Sequence, residues 1–281
     1  MKRLLCFLLC MLLLPVFCSG EESTAAETLT VHFLDVGQGD AAIIQCGGQT
    51  LMIDGGDKNA NQFIYSYLSE LGLDYLDYMI ATHPHDDHVK GLATALVLCD
   101  VGTVYSPMTE AEGEGFHDLT VKLTDRGGHF TIPHRGDTFT VGSAVVTFLT
   151  EPQASWDMND HSLMVKITFG YTSFLFTGDA AWVAEQDAIA GGIDLHADVL
   201  KLGHHGSLTS TSQEFLDAVQ PKYAIISVGA GNKYGHPADE TLLKLTHMYV
   251  SIFRTDKHGT IICTSDGEHL GFVMTKKNGK W

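Results

Sequence analysis

The sequence is poor in basic residues. It has 17 Lys and Arg against 34 Asp and Glu, which gives a formal charge of −17 with every histidine neutral. This shortage argues against a tight nonspecific grip on nucleic acid, since such affinity depends on cationic contacts with phosphates. With 44% hydrophobic and 18% charged residues, the chain has a globular composition, which excludes the disordered, collagen-like and coiled-coil classes.

Cysteine is also scarce, and half of it lies near the start of the chain. Of the six cysteines, only Cys46, Cys99 and Cys263 lie beyond residue 20. Three widely spaced cysteines cannot build a disulfide framework, although one pair could bridge. The stability of the chain must therefore come from a hydrophobic core, which about 260 residues can bury.

The first twenty residues have the pattern of a secretory signal peptide. Two basic residues precede an apolar run at residues 4–17, and small residues precede a cleavage point before Glu21. A helix over this run rises about 21 Å at ~1.5 Å per residue, short of the ~30 Å hydrocarbon core, so no stable membrane span is expected. We expect a secreted protein. Its predicted divisions are a signal peptide at 1–20, a polar leader at 21–28 and a single domain at 29–281.

Two consequences follow from a signal peptide. Cleavage removes Lys2 and Arg3 with no acidic residue, which changes the formal charge from −17 to −19. Lipoprotein attachment at Cys18 is the less favoured alternative, because bulky Phe17 occupies a position where lipoprotein signals have a small residue.

Strand-like and helix-like patterns alternate along the rest of the chain and predict an α/β (α+β) fold. Two strand-rich halves with interspersed helices indicate two sheets packed face to face, with helices outside. Residues 108–140 are glycine-rich and polar, and we expect a mobile excursion there. The predicted strands are 29–36, 41–46, 50–53, 75–81, 101–105, 144–149, 163–169, 172–176, 199–202, 223–228, 251–254, 260–263 and 270–273. The predicted helices are 59–71, 89–98, 180–190, 212–219 and 238–248.

Histidine is abundant, since its 15 residues nearly equal the 17 Lys and Arg. The densest cluster follows an apolar predicted strand and reads His83-Pro-His85-Asp-Asp87-His88. In an extended loop, residues i and i+2 project to the same side, so His83 and His85 can bind one cation. Asp87 and His88 come after the chain turns into a helix and face a neighbouring volume. The spacing suits two divalent cations, Zn²⁺ or Mn²⁺, although a histidine-rich surface loop is the alternative.

This cluster resembles the His-x-His-x-Asp-His motif of the metallo-β-lactamase superfamily. Two further aspartates stand in that family's order, each at a strand end and followed or preceded by glycine. The resemblance implies a four-layer αββα sandwich in which Asp54 braces the histidine loop. It also implies that Asp179 bridges both cations, whose repulsion a shared carboxylate screens.

A narrower resemblance covers about residues 29–271. The motifs at residues 33–40, 201–207 and 232–237 look like the extracellular nuclease domain of the ComEC competence proteins and their free-standing relatives. The resemblance implies that His83 and His85 bind the first metal and that Asp87 and His88 bind the second.

The same resemblance implies that His205 completes the second metal and that a water between the cations is the nucleophile. His204 is predicted to contact substrate or to exchange roles with His205, and the sequence leaves this open. The family's ordinary hydrolases have another metal-binding histidine before the strand that leads to Asp179. Here Asn159 and His161 occupy that region, and whether His161 is a ligand stays open.

Asn232, Tyr234 and His236 lie in a glycine-bounded loop before a helix predicted to begin near residue 237. Because a helix N-terminus with an imidazole suits an anion, we predict a phosphate clamp or leaving-group acid there, with a capping loop as the alternative.

Acidic and basic residues elsewhere in these motifs are harder to assign. Asp35 and Asp40 are either turn carboxylates or partners that orient ligand histidines. Lys201 and Lys233 could add charge to the site, although solvated lysines are the default expectation.

The sequence therefore predicts a secreted dinuclear metal-dependent hydrolase, most of all a ComEC-like phosphodiesterase or nuclease that uses a metal-bridged hydroxide. DNA is a possible substrate, but the charge of −19 also favours a smaller phosphoester, such as a nucleotide or a cell-wall phosphocholine ester. β-Lactam hydrolysis is not expected. The alternative from another class is a secreted binding module that keeps the metal pocket without turnover. The oligomeric state stays open.

Overall fold

The computed structural model describes residues 27–276, so the predicted signal peptide and most of the polar leader lie outside the described residues. Residues 27–276 form two β-sheets packed face to face, each covered on its outer side by helices. The predicted four-layer αββα sandwich, a single domain, is confirmed. Within this range no helix combines the length and apolarity that a membrane crossing requires.

The strands and helices follow the predicted order closely. The strands are β1 (Leu29–Phe33), β2 (Ala41–Cys46), β3 (Gln49–Gly55), β4 (Tyr75–Ile80), β5 (Asp100–Tyr105), β6 (Phe130–Thr131), β7 (Thr138–Val141), β8 (Ala144–Phe148), β9 (Val165–Phe169), β10 (Thr172–Phe176), β11 (Val199–Lys201), β12 (Tyr223–Ile226), β13 (Ser251–Arg254), β14 (Ile261–Ser265) and β15 (Leu270–Met274). The helices are α1 (Asn61–Glu70), α2 (Asp86–Leu98), α3 (Glu114–Asp125), α4 (Trp182–Ala190), α5 (Gln213–Val219), α6 (Asp239–His247) and α7 (Thr255–His258).

The order of strands explains where polar residues can gather. In the described residues, the first sheet runs β15-β14-β1-β2-β3-β4-β5-β6 and the second runs β13-β12-β11-β10-β9-β8-β7. Strands β3 to β6 are parallel, and so are β10 to β13. The carboxyl ends of parallel strands lie at one edge of a sheet, which is where ligand-binding loops of open α/β sheets converge.

Apolar side chains fill three layers. The layer between the sheets is rich in phenylalanine, and the Phe33 and Phe176 rings stack across it with centroids 5.6 Å apart. Helices α1 to α3 cover the first sheet, and α4 to α6 cover the second. Strand β10 is buried along its whole length, as a near-continuous apolar run predicts for a central strand covered on both faces.

The prediction of a mobile excursion at residues 108–140 was wrong. This stretch contains helix α3 and the short strands β6 and β7, and Phe116, Leu119 and Leu123 of α3 are buried against the first sheet's helical layer. Their spacing of three and four residues is helical. Flanking glycines and charges obscured it, because they gave the segment the average composition of a loop.

The three cysteines in the described range are all unpaired and buried. No bridge forms between any two of them, so the possible pairing left open by the sequence is absent here. The thiols contribute as small apolar groups in the core.

Candidate metal centre

Loops from both sheets meet at one edge of the sandwich around a cavity of about 420 Å³. The first sheet contributes the ends of β3 and β4 together with the first turn of α2. The second contributes the loops that follow β10, β11 and β12. The predicted residues from distant parts of the sequence are therefore brought together, and those lining the cavity are His85, Asp87, Asp179, His204, His205, Tyr234 and His236.

The histidine loop separates its ligand atoms into two groups. His83 is buried, and its Nε2 lies 3.0 Å from Nδ1 of His85. Asp87 and His88 belong to the first turn of α2, where the chain has changed direction. The His83 and His88 rings nevertheless lie close together, with centroids 4.2 Å apart, so the loop and the first turn of α2 present their ligand atoms to one cluster.

Three buried atoms converge without any hydrogen-bond partner in the described residues: His88 Nε2, His205 Nε2 and Asp179 Oδ1. The Asp179 oxygen lies 3.3 Å from the His88 nitrogen and 3.6 Å from the His205 nitrogen. Asp87 Oδ2 lies 3.5 Å from His205 Nε2. A tetrahedral ion with bonds of about 2.1 Å requires ligand atoms about 3.4 Å apart. This donor set therefore fits one divalent cation.

The other oxygen of Asp179 faces the second group. Asp179 Oδ2 lies 3.9 Å from His83 Nε2 and 3.7 Å from His204 Nε2. One carboxylate thus reaches towards two sets of imidazoles, one through each oxygen. A buried carboxylate between two cations is the arrangement that reduces their mutual repulsion.

Asp54 braces this arrangement from behind. Its Oδ1 accepts the Thr82 backbone N–H at 2.9 Å, and its Oδ2 accepts the Thr82 hydroxyl at 2.7 Å. The same Oδ2 lies 2.8 Å from His88 Nδ1. Asp54 therefore fixes the strand end before the histidine loop and points His88 Nε2 towards Asp179. A carboxylate on the distal nitrogen is the usual support of a metal-binding histidine.

The electrostatics of the cluster favour bound positive charge. Burial alone would lower the pKa of His88, but the Asp179 and Asp54 carboxylates outweigh it and raise that pKa well above the usual value. Burial alone would also lower the pKa of His205, but Asp179, Asp40 and Asp87 raise it to about 10. The carboxylates therefore favour positive charge in this cluster, which either protonated imidazoles or a divalent cation can supply.

Comparison with known proteins identifies the family. The family model described as the Metallo-beta-lactamase superfamily matches residues 34–230. The chain belongs to the metallo-β-lactamase superfamily. Members of this superfamily are generally metal-dependent hydrolases, and the residues above are the chain's candidates for holding the metal.

The chain is also related to ComEC-type competence proteins. Recombination protein 2 of Haemophilus influenzae is 33% identical over 234 residues, which is 80% of this chain and 27% of that protein. ComE operon protein 3 of Bacillus subtilis is 29% identical over 250 residues, which is 82% of this chain and 32% of that protein. The chain therefore spans only about a third of the curated relatives it matches.

A solved structure shares the fold at much lower identity. The metallo-β-lactamase fold protein YhfI of Bacillus subtilis matches with a TM-score of 0.58 and 13% identity. The match covers 84% of this chain and 100% of YhfI. This likeness supports the superfamily sandwich and carries no information on substrate.

The structure gives Lys201 a buried position that the sequence did not predict. Its side chain is 3% exposed, and its ammonium donates to Asp40 Oδ2 at 2.6 Å and to the Leu202 carbonyl at 2.8 Å. Asp40 Oδ1 lies 3.2 Å from His205 Nδ1, which also donates to the Ser227 carbonyl at 3.0 Å. The expectation of a solvated lysine is therefore wrong, because Lys201 neutralises an aspartate that faces a candidate metal ligand.

Asp40 and Asp35 have different environments. Asp40 is buried between Lys201 and His205, which favours the interpretation that it orients a ligand histidine. Asp35 instead pairs with the half-exposed Lys276 and makes no contact with the site histidines described here. It is a turn carboxylate at the surface.

We expect Lys201→Met to weaken binding of one of two cations by about 10–100-fold, the usual cost of losing a group that supports a metal ligand. Without the ammonium, Asp40 no longer holds a fixed orientation against His205. Titration of the metal-depleted protein with Zn²⁺ in the presence of a chromophoric chelator measures both affinities.

Lys222→Met is the matched control for this prediction. Lys222 also pairs with a buried aspartate, Asp198, at 2.8 Å, but its own side chain is largely exposed and lies at the far end of the adjacent strand. We expect it to leave both affinities unchanged. Equal affinities in the Lys201 and Lys222 variants would contradict the proposed support of His205.

Asn232 organises the loop after β12 and does not present a free amide to the cavity. Its Nδ2 donates to the Gly229 carbonyl at 3.0 Å and to the His236 carbonyl at 2.6 Å. Its Oδ1 accepts the backbone N–H groups of Tyr234 and His236 at 3.1 and 3.0 Å. All of its polar capacity is used inside the loop, which argues against the predicted phosphate contact. Asn232 instead holds the two residues that follow it.

Tyr234 and His236 both line the cavity. Their rings stack with centroids 5.7 Å apart, and the His236 centroid lies 5.4 Å from that of His204. His236 Nδ1 is buried and has no partner within residues 27–276. Helix α6 begins at Asp239, close to the predicted start. Their predicted contact with an anion or leaving group stays a prediction.

Asn159 lies in the region where the family's ordinary hydrolases have another metal-binding histidine. Asn159 lines the cavity, and its Oδ1 is buried without a partner in the described part of the chain. The His161 ring turns away, with Nδ1 lying 3.0 Å from the Asp157 carbonyl. The structure therefore does not bring His161 to the centre.

Proposed function

We propose that the protein is a secreted dinuclear metal-dependent hydrolase that cleaves a phosphodiester. The observation that carries the proposal is the pair of donor sets on the two oxygens of Asp179. The first cation, Zn²⁺ or Mn²⁺, would be held by His83, His85 and Asp179. The second would be held by Asp87, His88, His205 and Asp179.

Two bound cations would supply a water acidic enough to attack at neutral pH and positive charge beside the ester. The chain's own residues hold and orient that chemistry. Asp54 holds the His88 ring and the Ser227 carbonyl holds the His205 ring, each through Nδ1, and Asp40 lies 3.2 Å from the His205 Nδ1, so both Nε2 atoms face the centre. Packing of these residues in a buried cluster keeps the geometry fixed before substrate arrives.

His236 is the best placed residue for proton transfer to a leaving group. It lines the cavity, and its Nδ1 is without a partner in the described residues. An imidazole in this position can donate a proton to an alkoxide as the ester bond breaks.

The acidic lining of the cavity favours a small ester over a long polyanion. Asp86 and Glu112 line it in addition to the candidate ligands, and no lysine or arginine does so among the described residues. Binding to DNA depends on several cationic contacts with phosphates. A nucleotide or a phosphocholine ester of a cell-wall polymer is therefore the second candidate substrate class.

The secreted location rests on the amino-terminal sequence, which lies outside the described residues. The basic start, apolar run and small residues before Glu21 support export and cleavage.

A substrate screen tests the proposal. The purified protein, loaded separately with Zn²⁺ and Mn²⁺, would be assayed with bis-p-nitrophenyl phosphate, single-stranded and duplex DNA, a nucleotide and p-nitrophenyl phosphorylcholine. We expect metal-dependent release of product from the diester and from at least one of the other compounds. A protein that holds two ions and turns over none of them is a binding module, and the hydrolase proposal fails.

His236→Ala is expected to retain two ions and to lower kcat by about 100-fold or more, the usual share of a general acid. The effect should be largest for esters with poor leaving groups, since good leaving groups depart without a proton. Steady-state kinetics with p-nitrophenyl and alkyl esters, paired with metal analysis, measures this difference. Loss of an ion from the variant would instead make His236 a ligand.

A further inference from the structure

The first cation of the proposed centre has one protein ligand fewer than the second. His83, His85 and Asp179 are its candidates, while four residues surround the second. In ordinary superfamily hydrolases a further histidine stands before the strand that leads to Asp179, but Asn159 occupies that region here and His161 turns away. The turn after β11 supplies two further histidines.

Two adjacent histidines in this turn have unusual backbones. His204 has φ 47° and ψ 45°, and His205 has φ 55° and ψ 24°. Both lie in the left-handed region, which L-residues rarely adopt and which persists only where the surroundings enforce it. The consequence is that neighbouring rings diverge, with centroids 6.1 Å apart and planes at 68°.

The His204 and His205 rings face different oxygens of the Asp179 carboxylate. His205 Nε2 lies 3.6 Å from Asp179 Oδ1, the oxygen that also faces His88. His204 Nε2 lies 3.7 Å from Asp179 Oδ2, the oxygen that also faces His83. His204 is therefore on the side of the first cation, and His205 is on the side of the second.

The hydrogen bonding of His204 suits a metal ligand. Its Nδ1 lies 3.4 Å from the Thr209 hydroxyl, and its Nε2 is directed towards Asp179. His88 shows the same division, with Nδ1 held by Asp54 and Nε2 facing Asp179. In both residues Nδ1 has an outer contact, while Nε2 is the nitrogen that faces Asp179.

We propose that His204 is the fourth protein ligand of the first cation and replaces the histidine that Asn159 displaces. The left-handed turn at residues 204 and 205 thus gives one ligand to each cation. This inference rests on the proposed dinuclear centre and assigns His204 a role different from substrate contact.

The variant His204→Asn tests the assignment. Asparagine tolerates the left-handed region and can keep a contact with Thr209, but it has no atom equivalent to Nε2. Titration of the metal-depleted protein with Co²⁺ and Zn²⁺ against a chelator gives two affinities, and the Co²⁺ absorption spectrum reports the coordination number. We expect one affinity to fall at least 10–100-fold with a changed Co²⁺ spectrum, while the other affinity is unchanged.

His161→Asn is the matched control, since it removes another imidazole that the structure places away from the centre. It should bind both ions like the wild type. Thermal melting of the metal-depleted variants shows whether each retains the fold.

Three results would overturn the inference. A His204→Asn variant that holds both ions normally but has lost turnover makes His204 a substrate contact. Loss of an ion from His161→Asn assigns the position to His161, and loss from Asn159→Ala with normal binding in His204→Asn assigns it to the Asn159 amide. The metal titrations decide which residue binds the ion, whereas the substrate screen of the unmodified protein tests hydrolysis, so a failure of this inference is distinct from a failure of the hydrolase proposal.

Discussion

Asp179→Ala is expected to remove both cations and to abolish hydrolysis. Each oxygen of this carboxylate faces one donor set, so a single substitution takes a ligand from both sites. It also removes the negative charge that lies between the imidazoles of His88 and His205. Losing an outer supporting group costs about 10–100-fold in metal affinity, and losing a shared direct ligand costs each site at least as much. Metal analysis after dialysis and the diester assay measure the two losses.

Asp187→Ala is the control for this substitution. Asp187 lies in the same half of the molecule, on α4, and pairs with Arg135 away from the cavity. It should retain both ions and full turnover. If Asp179→Ala still held two ions with near-normal affinity, the carboxylate would not bridge them, and the two-site arrangement proposed above would be wrong.

The strands and the position of the site could be predicted because they depend on short-range patterns. Runs of β-branched and apolar residues end at Asp54, at the histidine loop and at Asp179. The carboxyl ends of parallel strands then bring these residues to one edge. The predicted pairing of His83 with His85, on one side of an extended loop, needs nothing beyond alternation.

The role of Lys201 depends on a contact that no local pattern encodes. Its partner Asp40 lies 161 positions earlier in the chain, in the turn between β1 and β2. A lysine at the end of a short strand is most often solvated, and only the packing of the two sheets buries this one. The one available signal was its place directly after the apolar residues of β11, at the strand end that leads to the paired histidines.

The directions of the His204 and His205 rings also could not be predicted from the sequence. Alternation predicts that adjacent residues in an extended chain face opposite sides, but His204 and His205 are both left-handed and form a tight turn. Spacing alone could not assign either ring to a cation. The predicted phosphate contact of Asn232 is likewise not supported, because its amide bonds to its own loop instead of facing the cavity.

Gly91→Ala is expected to damage the centre from a distance. Gly91 lies in α2, five residues after its start, and packs against Gly55 at the end of β3. A Cβ on residue 91 would lie 1.8 Å from the Gly55 carbonyl oxygen, which is a backbone atom and cannot move aside. The helix must therefore shift, and it carries Asp87 and His88 in its first turn.

Two measurements separate the stability and metal effects of Gly91→Ala. Overpacking of this kind lowers the free energy of unfolding by about 1–3 kcal/mol. Because the clash is with a backbone atom, we expect a loss at or above the upper end of this range. Denaturant unfolding with and without Zn²⁺ measures that loss, and metal titration should show weaker binding at the second site first, since α2 supplies two of its ligands.

Gly115→Ala in α3 is the matched control for a helical glycine. A Cβ there would meet only side-chain atoms, of Asp86 at 2.7 Å, Lys90 at 2.8 Å and Val89 at 3.1 Å, and side chains adjust more readily than a backbone carbonyl. The loss of stability should therefore be smaller than in Gly91→Ala. Similar stability and metal affinity in the two variants would mean that α2 is not held at a fixed distance from β3. The close approach of Gly91 to Gly55 would then not be what positions Asp87 and His88.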